Sequence, residues 1–138
     1  MKHLLITLVL LLFSKFVFGN VQRGSLQNLN SPDIKEMLLA NYSKTYKTKA
    51  GLEKLKRSTL RYSGKAVPAL VQVMKESRFP EKNRWIATFL LGKIVGVKSA
   101  PFIAKFSNHP NWVMRLASLK TLLALRQTQY TSIYQKAL

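Results

Sequence analysis

Acid–base catalysis needs titratable groups held close together, and this chain offers few of them. Its five acids, Asp33, Glu36, Glu53, Glu76 and Glu81, are scattered over separate turns and helices. Asp33 and Glu36 fall in one first helical turn, where compensation of the helix dipole accounts for both. Glu81 follows Pro80 in another first turn and has the same explanation. Glu53 and Arg57 stand at i, i+4, the spacing of an ordinary ion pair on a helix surface. The chain has two histidines, His3 and His109, and no cysteine. His109 directly precedes Pro110 and reads as a loop or capping residue. That leaves no nucleophile–base set and no zinc set, and the glycine patterns of calcium and phosphate loops are absent. The residues argue for no catalysis, no metal and no cofactor.

Recognition is the chemistry the remaining residues support. Arg84 and Arg115 each sit inside an apolar run, at matching points of two similar stretches. Trp85 and Phe89, at i and i+4, flank the first run, and Lys93 lies one turn further. The step that carries Arg84 onto Arg115 carries these three onto Leu116, Lys120 and Ala124. The same step taken backwards reaches Lys54, Ser58 and Tyr62. The candidate binding row is therefore Lys54, Tyr62, Trp85, Phe89, Lys93, Leu116 and Lys120. Aromatic anchors among cations suit an acidic, partly apolar protein. Packing against a neighbouring helical pair is the other reading of Trp85 and Phe89, and the sequence leaves both open. Trp112 reads as a staple over a helix start.

A repeat positions these residues. One copy opens at Pro68 and the other at Pro101, and each has a loop ending in a second proline, Pro80 or Pro110. From each arginine, apolar or small residues recur at +2, +3, +6, +7 and +10. These are Ile86, Ala87, Leu90, Leu91 and Ile94, then Ala117, Ser118, Thr121, Leu122 and Leu125. Helices are expected over 67–77, 80–95, 100–107 and 110–126. Before them, Ser31-Pro32-Asp33 starts a helix, with Ser31 as its cap and Ile34, Met37, Leu38 and Tyr42 inward. A basic loop covers 43–49, and a second helix covers 50–62 with Leu52, Leu55 and Leu60 inward and Gly64 at its end. A short last helix over 132–137 takes Thr131 as cap. No segment alternates with period two, so the class is all-α.

The stretch Gly64-x-Ala66-Val67-Pro68-x-Leu70, followed by Arg84-x-Ile86-Ala87-x-x-Leu90-Leu91-Gly92-x-Ile94-x-Gly96, resembles the HEAT repeat in its short bacterial form. The second copy matches at Ala100-Pro101-x-Ile103 and at Trp112-Val113-x-Arg115-x-Ala117-Ser118-x-x-x-Leu122-x-x-Leu125. Leu123 stands where the first copy has Gly92. The resemblance implies a right-handed α-solenoid of stacked helical hairpins whose second helices line a concave face. It divides the domain 31–138 into a degenerate first hairpin 31–63, repeats 64–97 and 98–126, and a C-terminal helix 131–137. It implies no activity. A DNA glycosylase on this scaffold would need a carboxylate in a basic, aromatic groove, and no aspartate lies in either clear repeat.

Residues 1–19 have the layout of a secretory signal peptide: Lys2 and His3, an apolar run over 4–13, and small-to-medium residues up to Gly19. Cleavage after Gly19 places the protein in a periplasm or outside the cell, with 20–30 as a flexible arm. Setting aside Lys2 and Lys15 lowers the net charge of +18 to about +16. Such a field attracts acidic proteins, anionic polymers and membrane surfaces. Export disfavours nucleic acid as the partner. The end hairpins are also candidates for stacking into a homo-oligomer.

Overall fold

The computed structural model describes residues 33–137, and the expected signal peptide, arm and Ser31 cap lie outside them. Each described helix begins where a side chain or a proline suits its first turn. Helix α1, Ile34–Tyr42, is capped by Asp33, whose carboxylate accepts from Lys35 N at 3.0 Å. Helix α2, Lys49–Tyr62, is capped by Thr48, whose hydroxyl oxygen accepts from Gly51 N. Helices α3, Val67–Lys75, and α5, Ala100–Ala104, carry Pro68 and Pro101 in their first turns, where the missing N–H costs no helical bond. Helix α4, Glu81–Val95, follows Pro80, and α6, Trp112–Ala124, follows Asn111, which caps Val113 N and Met114 N. A last helix, α7, spans Thr131–Ala137, so Thr131 is its first residue rather than its cap. Among the described residues every regular element is helical.

The repeat is visible in local geometry. A 3-10 turn, Ser63–Ala66, leads into α3, and an equivalent turn, Gly96–Ser99, leads into α5. Both turns open on a left-handed residue, Ser63 at φ 45° and Gly96 at φ 68°. The sequence pointed to Gly64 as the end of α2, but the reversal falls one residue earlier, on a serine. The step from Ser63 to Gly96 is longer than the step from Arg84 to Arg115, which is the one relating the starts of α4 and α6. The difference is absorbed between the two helices of each hairpin. The loop 76–80 of the first copy is replaced in the second by the 3-10 turn Lys105–Asn108.

The densest packing sets α3 against α4 and α4 against α6. Helix α2 also packs on α4, α1 on α3, and α5 on α6. The apolar register read from the arginines is the buried one. Ile86, Ala87, Leu90, Leu91, Ala117, Ser118, Thr121 and Leu122 are all buried, while Ile94 and Leu125 are partly so. Each fully buried aliphatic side chain of this kind contributes roughly 1.5–3 kcal/mol. Two polar side chains of this register are bonded in the interior: Ser118 Oγ donates to Ile103 O at 2.7 Å, and Thr121 Oγ1 to Ala117 O. In α2 the buried residues are Leu55 and Thr59, with Leu52 and Leu60 packed at the core's edge. Tyr42, at the end of α1, is fully buried and its hydroxyl meets Thr59 Oγ1 at 3.1 Å.

Asn83 ties the first loop to the rest. It is 1 % exposed, and its amide donates to Tyr42 O at 2.6 Å and Lys44 O at 2.8 Å. Arg84, 2 % exposed, donates through Nη2 to Met74 O at 2.8 Å, satisfying a carbonyl at the end of α3. Burial pulls its pKa below the usual guanidinium value, partly offset by Glu81. Arg115 does the equivalent task for its own hairpin, with Nη1 on His109 O and Pro110 O. The arginines therefore act chiefly within their own hairpins, with Arg84 also touching His109 of the next. The ring of His109 stacks on Phe106, and its Nδ1 accepts from Asn111 N. That acceptor role puts the neutral ring's proton on Nε2, so its 3.5 Å approach to Arg84 Nη2 brings two donors together and is a contact rather than a bond.

Candidate functional site

Helix α4 runs between α2 and α6, and one of its sides stays open. Leu90, Leu91 and Ala87 face inward, which turns Trp85 and Phe89 to the edge and surface. Phe89 is 43 % exposed and Trp85 is half-buried. Together they line a cleft of about 540 Å3 with Leu52 and Lys56 of α2, Glu81, Lys82 and Ile86 of α4, and Val113 of α6. A smaller hollow of about 190 Å3 continues past Phe89, lined by Gly92, Lys93, Thr121, Ala124 and Leu125. Lys120 reaches across from α6, its Nζ 5.5 Å from the Trp85 ring centre. The aromatic pair is therefore accessible, framed by cations.

The expected row is brought together only in part. Trp85, Phe89, Lys93 and Lys120 share this region. Lys54 is exposed elsewhere, in a hollow of about 230 Å3 with Asn41, Lys44, Tyr46 and Ser58. Tyr62 packs at the core's edge with its hydroxyl 3.7 Å from Met37 Sδ. Leu116 turns toward α7, in a cleft of about 500 Å3 that also holds Trp112, Leu119, Ile133 and Lys136. The cause is the register. Between the first two helical pairs the structure follows the longer step, from Ser63 to Gly96, and not the step of the arginines. Taken back from Trp85 and Phe89, that longer step reaches Leu52 and Lys56, which are the α2 residues that line the cleft.

Two further expectations change. Glu53 pairs with Lys56 at 2.8 Å instead of Arg57, and that bond holds its carboxyl below the usual range. Trp112 stands at the first position of α6, 62 % exposed, on the edge of the cleft that faces α7.

The chemistry of the cleft is that of contact. Its one carboxylate, Glu81, is exposed and accepts from Asn111 Nδ2, which links the starts of α4 and α6. Glu76, on the loop after α3, is drawn below its usual pKa by hydrogen bonds from Arg78 and Gln72. Among the described residues no group of three His, Asp or Glu is placed to hold a metal ion. Only two ion pairs, Lys56–Glu53 and Arg78–Glu76, form among the described residues, so most cations face no carboxylate. The stretch Glu81–Asn108 is apolar enough by composition to cross a bilayer, yet it breaks at Gly96 and half of it is buried in the fold. No family model, curated protein or solved structure matches the chain.

Proposed function

We propose that this chain is an exported, non-catalytic interaction module that binds an acidic protein, as an adaptor or as an inhibitor that occludes its target. Its scaffold in this reading is a short right-handed HEAT-like solenoid, supported by the repeated 3-10 turn, helix and left-handed residue. Export rests on the leader-like residues 1–19. The observation that carries the binding role is the open cleft at Trp85 and Phe89, framed by Lys56, Lys82, Lys93 and Lys120. Half-exposed aromatics in a cleft are the residue type and placement that dominate interface energies.

The test is capture from exported-fraction extract on immobilised protein, at low and high salt, with and without Trp85→Ala. One acidic protein retained at high salt and lost with Trp85→Ala is the expected result. A second reading, a polyanion binder acting through its field, is favoured by the scarcity of ion pairs. It predicts many acidic species released together by salt, with no dependence on Trp85. That outcome would overturn the protein-binding role.

A further inference from the structure

We infer that the cleft receives an acidic amphipathic helix, lying along α4 and seating one apolar side chain on each side of Phe89. This rests on the protein-binding reading and specifies the shape of the partner. Phe89 lies between two hollows, the larger of about 540 Å3 around Trp85 and the smaller of about 190 Å3 around Gly92. Trp85 and Gly92 stand at i and i+7 on one helix, about 10 Å apart at roughly 1.5 Å per residue. A second helix laid alongside offers the same rise between its positions i and i+7, which face one way. An extended segment places same-face side chains about 7 or 14 Å apart and matches that rise less well.

The floor of the second hollow suits an incoming side chain. Gly92 and Thr121 pack closely together as its base, and Ala124, small and exposed, leaves its edge open. Charge fixes the sign of the partner. Lys56 and Lys82 line the first hollow, Lys93 lines the second, and Lys120 stands over Trp85. Glu81 on the rim keeps its charge and Glu53 pairs with Lys56, so the positive excess comes from Lys82, Lys93 and Lys120. An acidic helix finds cations along its whole length, and a basic one is repelled.

The experiment uses two acidic peptides of about 18 residues with identical composition and charge, long enough to form a helix on a surface. One carries leucines at i, i+3, i+4 and i+7, and the other is shuffled. Trp112→Phe leaves Trp85 as the only tryptophan, so its emission reports binding at the cleft. The patterned peptide is expected to bind at least about 10-fold tighter at roughly 0.15 M salt and to shift the emission to the blue. Ala124→Phe, which fills the second hollow from an exposed position, should weaken the patterned peptide about 10-fold and leave the shuffled one unchanged. Equal binding of both peptides, or indifference to Ala124→Phe, overturns the inference. A Trp85-dependent protein captured while neither peptide binds also overturns it and leaves the protein-binding reading standing.

Discussion

The ammonium of Lys120 on α6 lies 5.5 Å from the centre of the Trp85 ring on α4. The two are distant in sequence and meet because α4 and α6 pack side by side. At an exposed site such a cation over a ring contributes roughly 0.5–1 kcal/mol, too little to hold the fold. Its larger effect is to place a positive charge at the edge of an apolar anchor. Lys120→Ala should therefore lower the unfolding midpoint by a few degrees at most but slow association with an acidic partner at low salt. Trp85→Ala should instead speed dissociation. Surface-plasmon kinetics over a salt series separates the two effects. An association rate untouched by Lys120→Ala would remove the steering role.

Gly92 sits where the same two helices leave no room for a side chain. A Cβ built there would lie 2.5 Å from Thr121 Cγ2, and Thr121 is fixed by its bond to Ala117 O. Alanine normally gains about 1 kcal/mol over glycine inside a helix. Overpacking costs roughly 1–3 kcal/mol and wins here, because the obstacle is a held side chain on a packed helix. Gly92→Ala should lower the thermal midpoint by several degrees, and adding Thr121→Ser should restore most of it. Calorimetry on the single and double variants checks both halves, and a Gly92→Ala midpoint at or above wild type would place the helices further apart.

The spacing from each arginine was legible because burial repeats with the helical period, and Leu90, Leu91, Thr121 and Leu122 are buried as the pattern required. The expected row comes together in space only where the step of the arginines matches the structure, from Trp85 and Phe89 across to Lys120. Applied backwards, the same step selected Lys54 and Tyr62. The fold instead follows the longer step from Ser63 to Gly96 there and presents Leu52 and Lys56. Asn83 was not legible at all. A polar residue in a first turn reads as solvated, and its burial depends on two carbonyls, of Tyr42 and Lys44, that lie far away in sequence. Surface pairs were no better determined, since Lys56 and Arg57 both lie within reach of Glu53 and neither choice is worth much energy.

The matched left-handed positions predict opposite outcomes for reciprocal changes. Ser63 takes φ 45° and ψ −128°, a region that glycine enters freely and other residues enter with strain. Gly96 takes φ 68° and ψ −148° at the equivalent point. Ser63 is exposed, so its replacement removes no packing. Ser63→Gly should stabilise the fold by about 1 kcal/mol after the entropy cost of glycine, and Gly96→Ala should destabilise it by about 1–3 kcal/mol. Urea titration gives both, and the same sign for the two changes would break the equivalence of the turns.

Tyr42 should make the stability of the fold fall at alkaline pH. Its ring is fully buried and burial pushes its pKa from 10.0 up to about 12. Thr59 Oγ1 already donates to Leu55 O, so the phenol is the donor in the Tyr42–Thr59 bond. Above pH 10 the unfolded chain releases this proton while the folded chain keeps it. The unfolded state then binds fewer protons, and stability falls as pH rises. The contribution is intact below pH 10 and is lost progressively up to about pH 12, at no more than about 1.4 kcal/mol per pH unit. Tyr42→Phe removes the titrating group along with one hydrogen bond worth about 1 kcal/mol. Urea unfolding from pH 9 to 12 should therefore show the variant less stable at neutral pH but with a shallower alkaline decline. Parallel declines in the two proteins would assign the loss to the lysines and the other tyrosines instead.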